Sequence, residues 1–104
     1  MPTISDYQNQ LAEIDKGKKP KDYTSMLILG VVEEVGEVSR AYLAKKGRKG
    51  KHHRARQDET YKQELGDIIL AIMKLANIKD IDLDKQIQHS LKKIKRRKKL
   101  GATI

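Results

Sequence analysis

Apolar residues recur along this chain with the period of a helix and nowhere with the strict alternation of a strand. Ile4, Tyr7, Leu11 and Ile14 fall three or four apart, the spacing that stacks side chains on one helical face, so a first helix starts at Thr3 or Ser5. Ser5-x-x-Gln8 reads as its capping box, and Lys16-Gly17-Lys18-Lys19-Pro20 as its stop. Asp22 caps a second helix, striped by Leu27, Ile28, Val31, Val35, Val38 and Tyr42, that runs to about Lys46 with Gly47 as terminator. The period then vanishes between Gly47 and Gln57, which predicts a mobile loop. Asp58-Glu59-Thr60 places acids at the start of a third helix, favourable for its dipole, and the pattern resumes from Tyr61 to Ala76 or Asn77. Lys79 and Asp80 form a turn. Asp82 caps a fourth helix with Leu83, Ile87, Leu91 and Ile94 on one face, and the chain from Lys95 is too basic to pack and reads as a frayed tail. Four helices without a strand predict an all-α fold, one domain over residues 1–94 followed by a basic tail over 95–104.

Five carboxylates interrupt the apolar pattern: Glu33, Glu34 and Glu37 in the second helix, Glu64 and Asp67 in the third. At roughly 100° per residue, Glu34 borders the buried stripe of its helix and Glu37 stands just outside it. Gly30 and Ala41 project into the same sector, which leaves room for an ion and a ligand. On the third helix Glu64 and Asp67 flank the apolar face beside Ala71. Charges in such positions are costly unless a cation binds them. A ligand set of oxygens alone suits a hard cation, Mg2+ or Mn2+, rather than zinc. The competing interpretation is an ordinary solvated helix face; against it, only Arg40 and Lys74 lie near these acids at helical spacing, and Glu33 and Glu37 repel at i, i+4.

Glu33-Glu34-x-x-Glu37 followed by Glu64-x-x-Asp67 resembles the signature of the MazG-like nucleotide pyrophosphohydrolases, an all-α superfamily. The likeness extends from about Leu27 to Arg97 and includes Ile81-Asp82-Leu83. It implies a four-helix bundle completed by oligomerisation, as a homodimer or tetramer, and a magnesium-dependent enzyme that hydrolyses a nucleoside triphosphate to the monophosphate and pyrophosphate. Glu34, Glu37, Glu64 and Asp67 become the metal ligands, and Glu33 or Glu34 the residue that orients the attacking water. Lys93 and Arg97 fit the basic pattern of the family's last helix and, with Lys74, become the phosphate-binding cations; Ser90 and Ile94 stand where that pattern usually has lysine and asparagine. Independently of the resemblance, Tyr7, Tyr23 or Tyr42 could stack on a base, with Gln8 reading its edge, although such residues are more often part of a core or its rim. The third helix also speaks for assembly from its own pattern. Its apolar arc spans about 200°, wider than one core requires, and a second subunit is the expected cover in so short a chain.

Charge narrows the alternatives. The net charge is +9 over 104 residues, yet Lys45 to Arg56 and Lys92 to Lys99 hold seven basic residues each, leaving nine against all fourteen acids elsewhere. The excess belongs to one loop and one tail, not to the whole domain. Two other readings therefore stay open: a basic helical protein that binds nucleic acid nonspecifically through the loop and tail, and a catalytically silent nucleotide-binding protein on the same fold. With no Phe or Trp and four Tyr, no surface for stacking single strands is evident. Asp80-x-Asp82-x-Asp84 lacks the glycine and the final glutamate of a calcium loop, and Gly47-Arg48-Lys49-Gly50-Lys51 lacks the spacing of a phosphate-binding P-loop. His52-His53 has no further ligand at metal spacing, and His89 lies on the polar side of its helix. No cysteine is present and no apolar run approaches ~18 residues, so a soluble cytoplasmic protein without a membrane partner is expected.

Overall fold

A computed structural model of the chain describes residues 1–45 and 61–101. It contains four helices, α1 (Ile4–Ile14), α2 (Tyr23–Lys45), α3 (Tyr61–Ile78) and α4 (Leu83–Lys99), and no strand among the described residues. The loop expected around residues 47–57 with His52 and His53, the terminator Gly47 and the acids Asp58 and Glu59 lie outside the described residues.

The first helix begins one cap earlier than Ser5-x-x-Gln8 implied. Thr3 is the N-cap: its hydroxyl accepts from the Asp6 N–H at 3.1 Å, and the Asp6 carboxylate accepts from the Thr3 N–H at 2.8 Å, a complete capping box. Ser5 and Gln8 are unavailable as caps because both reach across to the α3–α4 corner. After α1, Gly17 takes φ +130°, a conformation that favours glycine. The Asp22 carbonyl then accepts the Met26 N–H at 3.1 Å and opens α2.

α2 and α3 form the principal packing pair, with α1 against α3 and α4. Tyr23 at the start of α2 and Ile78 at the end of α3 line one cavity, while Glu34 meets Glu64 and Asp67; the two helices therefore run antiparallel. Among the described residues the buried apolar ones are Leu11, Met73 and Ala76, with Gln8 and Glu64 also buried. Gln8 is the joint of the α1–α3–α4 corner. Its amide nitrogen donates to Asn77 Oδ1 at 3.1 Å and to the Ile81 carbonyl at 2.9 Å, its Oε1 accepts from the Leu83 N–H at 3.0 Å, and Asn77 Nδ2 donates to the Gln8 carbonyl at 3.0 Å. The turn that creates the corner places Asp80 at φ +54°, a region that Asp tolerates better than most residues.

Two boundaries move outward from the sequence expectation. α3 continues to Ile78, and α4, capped by Asp82 through its Asp84 N–H bond of 3.0 Å, continues to Lys99 instead of fraying at Lys95. Lysine and arginine are good helix formers, and cations in the last turn interact favourably with the negative end of the helix dipole. None of the residues of α4 is buried.

Candidate metal centre

The antiparallel pair brings three of the five acids together. Glu34 of α2 and Glu64 and Asp67 of α3 each offer a carboxylate oxygen, and these oxygens lie within 4.8 Å of one another. Glu64 is 3% exposed, and Glu34 and Asp67 are partly buried. At an effective dielectric constant near 20, two like charges at that separation repel by about 3 kcal/mol. An all-oxygen set of three carboxylates suits a hard divalent cation, which relieves that repulsion and takes its remaining ligands from water or phosphate oxygens. The donor chemistry therefore fits magnesium or manganese.

The other expected site residues are placed differently. Glu37 lies outside the group and forms a salt bridge with Arg40, three residues on in the same helix. Glu33 is exposed beside Glu34. Lys74 stands 3.8 Å from Asp15, at the wall of a cavity of about 160 Å3 that Lys19, Tyr23 and Asn77 also line. Lys19 donates to the Asp15 carbonyl there and sits 5.5 Å from the centre of the Tyr23 ring. Lys93 and Arg97 are on the exposed surface of α4, which packs chiefly against α1. Tyr7 is exposed, whereas the amide edge of Gln8 is turned into the corner and both its N–H groups are taken by the protein. The base-reading role expected of Gln8 thus competes with a structural one.

Sequence reasoning missed the polar contacts of the corner. Ser5 donates its hydroxyl to Asp84 Oδ2 at 2.7 Å and lies 3.1 Å from Asp82 Oδ1, and its N–H donates to Asp84 Oδ2 at 2.9 Å. These bonds, the hydroxyl first and then the Ser5 and Ile4 N–H groups, hold the Asp84 carboxyl below its ordinary value of 3.8, against a smaller opposing effect of burial. The available signal was the Asp82-x-Asp84 pair at the start of a helix, which offers one carboxylate for the cap and a second for a neighbour. A polar cavity of about 400 Å3 opens at this corner between Ser5, Asn9, Asn77 and Asp82.

No helix among the described residues is long and apolar enough to cross a membrane. No curated protein and no solved structure matches the chain. A family model, the MazG nucleotide pyrophosphohydrolase domain, matches residues 23–101. That span starts with α2, contains all three converging carboxylates and leaves α1 outside. By that match over most of its length, the chain belongs to the MazG nucleotide pyrophosphohydrolase family.

Proposed function

We propose that this protein hydrolyses nucleoside triphosphates, ribo- or deoxyribo-, to the monophosphate and pyrophosphate with the help of Mg2+, for which Mn2+ can substitute. The observation that carries the proposal is the convergence of Glu34, Glu64 and Asp67 between two packed helices. These three would hold the cation, with Glu37, now paired with Arg40, as the fourth ligand. The ion would supply charge neutralisation for the triphosphate oxygens and their alignment for in-line attack. Glu33 or Glu34 accepts a hydrogen bond from the attacking water and orients it toward the α phosphorus. The water oxygen forms the new bond to that phosphorus and gives up a proton to the carboxylate that orients it, the bond to the α–β bridging oxygen breaks, and pyrophosphate leaves with the electron pair. Lys93 and Arg97 steady its charge, with Lys74 available if it leaves Asp15. The working protein is a homo-oligomer of the cytoplasm.

The test is product analysis after incubating the protein with each common ribo- and deoxyribonucleoside triphosphate and Mg2+, with Asp67→Asn as control. Monophosphate and pyrophosphate are expected, reduced at least about a hundredfold in the variant, since a lost ligand or charge partner at the reacting centre costs several kcal/mol. Diphosphate and phosphate as products would place the cut at the wrong bond. Absence of any turnover, with triphosphate still raising the melting temperature, would support a silent nucleotide binder, the reading favoured by Ser90 and Ile94 on the last helix.

A further inference from the structure

After Asp84, α4 carries eight cations and no carboxylate. Seven of the cations fall between Lys92 and Lys99, all of them exposed. At roughly 100° and 1.5 Å per residue, Lys85, Lys92, Arg96 and Lys99 line one edge of the helix for about 21 Å. Lys93 and Arg97 lie roughly 100° away from that edge. Cations three or four apart on a helix repel by a few tenths of a kcal/mol, and Lys92 with Arg96 and Lys95 with Lys99 are such pairs. The helix dipole offsets part of this. Among the described residues no ion pair joins a cation of α4 to a carboxylate. A polyanion would supply the missing countercharge.

We propose that the edge of α4 formed by Lys85, Lys92, Arg96 and Lys99 binds duplex DNA through its phosphates, without reading sequence, on a surface separate from the three carboxylates. The shape of the helix selects among polyanions. A B-form major groove, about 12 Å wide with phosphates on both walls, admits a helix of 10–12 Å diameter. The five consecutive cations from Lys95 to Lys99 point to all sides of the last turn and so meet both walls. Duplex RNA has a major groove too deep and narrow for this entry, and α4 has no Phe, Tyr or Trp on which single-stranded bases would stack. A lipid surface would have to take up the apolar side, of which only Ile87 and Leu91 are exposed while Leu83 and Ile94 are partly covered, and Lys98 interrupts the same line.

The experiment titrates the full chain against a fluorescent random-sequence duplex of about 20 base pairs over a range of KCl, with neither nucleotide nor magnesium present, so that it is independent of the proposed hydrolysis. The parent is expected to bind with an affinity that falls steeply with salt. In K92Q/R96Q/K99Q the slope of log K against log salt should shrink by about three, and in R96Q by about one, with affinity at ~100 mM KCl at least tenfold weaker in the triple variant. Glutamine preserves helix propensity, and far-UV circular dichroism confirms the fold. The charge-preserving K92R/R96K/K99R should bind as the parent does. Unchanged binding by the triple glutamine variant, which would assign it to other basic residues, overturns the proposal. So does failure to bind the duplex at ~50 mM KCl, or capture by phosphatidylserine vesicles but not by DNA.

Discussion

Glu64 shows how one residue can be read from its surroundings: a carboxylate 3% exposed, it is held between two packed helices with Glu34 and Asp67 at its side. Asp84 is the opposite case, an exposed-edge carboxylate whose ionised form is favoured by donors from another helix. Because its folded value is depressed by Ser5, linkage fixes the sign of the pH effect. The contact contributes its full stability above the unfolded value of about 3.8 and loses it as pH falls through the lower folded value. Ser5→Ala removes the hydroxyl bond and keeps the N–H bond. The variant should therefore be less stable than the parent near neutral pH, and the difference should narrow as pH falls below about 4. Urea midpoints measured between about pH 2 and 7 check this, and a difference that does not change with pH would assign the Ser5 effect to packing alone.

At the scale of the helix, Gly30 is a position where local propensity is sacrificed. It lies inside α2, one turn before Glu34 and about 40° around from it, and a Cβ added there meets nothing within 4 Å. Gly30→Ala should stabilise the unliganded protein by up to ~1 kcal/mol and slow triphosphate hydrolysis about tenfold, if substrate uses the open space beside the carboxylates. Stability rising with turnover unchanged would show that the substrate does not approach this turn. The helices themselves, and the face on which three of the acids lie, were legible in the sequence because both follow from a single period: position at the border of an apolar stripe fixes the face on which Glu34, Glu64 and Asp67 lie. What period does not encode is how a side chain divides its bonds between neighbours. Glu37 had the right spacing for the group, but Arg40 one turn on was available to it. Gln8 and Ser5 fitted a local cap, yet long-range partners, Asn77, Ile81 and Leu83 for one and Asp84 for the other, engage them instead. Nor does the period encode the end of α4, where the helix propensity of lysine and arginine and their place at the negative end of the dipole carry the helix to Lys99.

At the scale of the whole molecule, large apolar side chains stay uncovered in the single chain. Among the described residues Leu11, Met73 and Ala76 form the buried apolar core, while Leu29 and Val32 of α2 are each 63% exposed and Leu65 and Ile69 of α3 each 50%. Exposed apolar residues are ordinary when scattered, but several on each of two packed helices are what a second copy would cover. At roughly 100° per residue, Leu29 and Val32 stand about 140–160° from Glu34 around α2, and Leu65 and Ile69 about 160° from Asp67 around α3, so another copy can cover these residues without closing the side on which the acids meet. Marginal single chains gain stability by mass action when they assemble. Sedimentation equilibrium should give a dimer or a tetramer at micromolar concentration, and the melting temperature should rise with protein concentration. Ile69→Lys should shift the protein to monomer and lower its melting temperature by several degrees, because an unpaired charge in an apolar interface costs kcal/mol, each worth about 4–8 °C in a domain of this size. A parent that sediments as a monomer with a melting temperature independent of concentration would show that a single chain tolerates this surface, and that the wide apolar arc of α3 serves another partner. Hydrolysis that survived Ile69→Lys in full, in a protein shown to be monomeric, would further mean that Glu34, Glu64 and Asp67 of one chain are sufficient for the site.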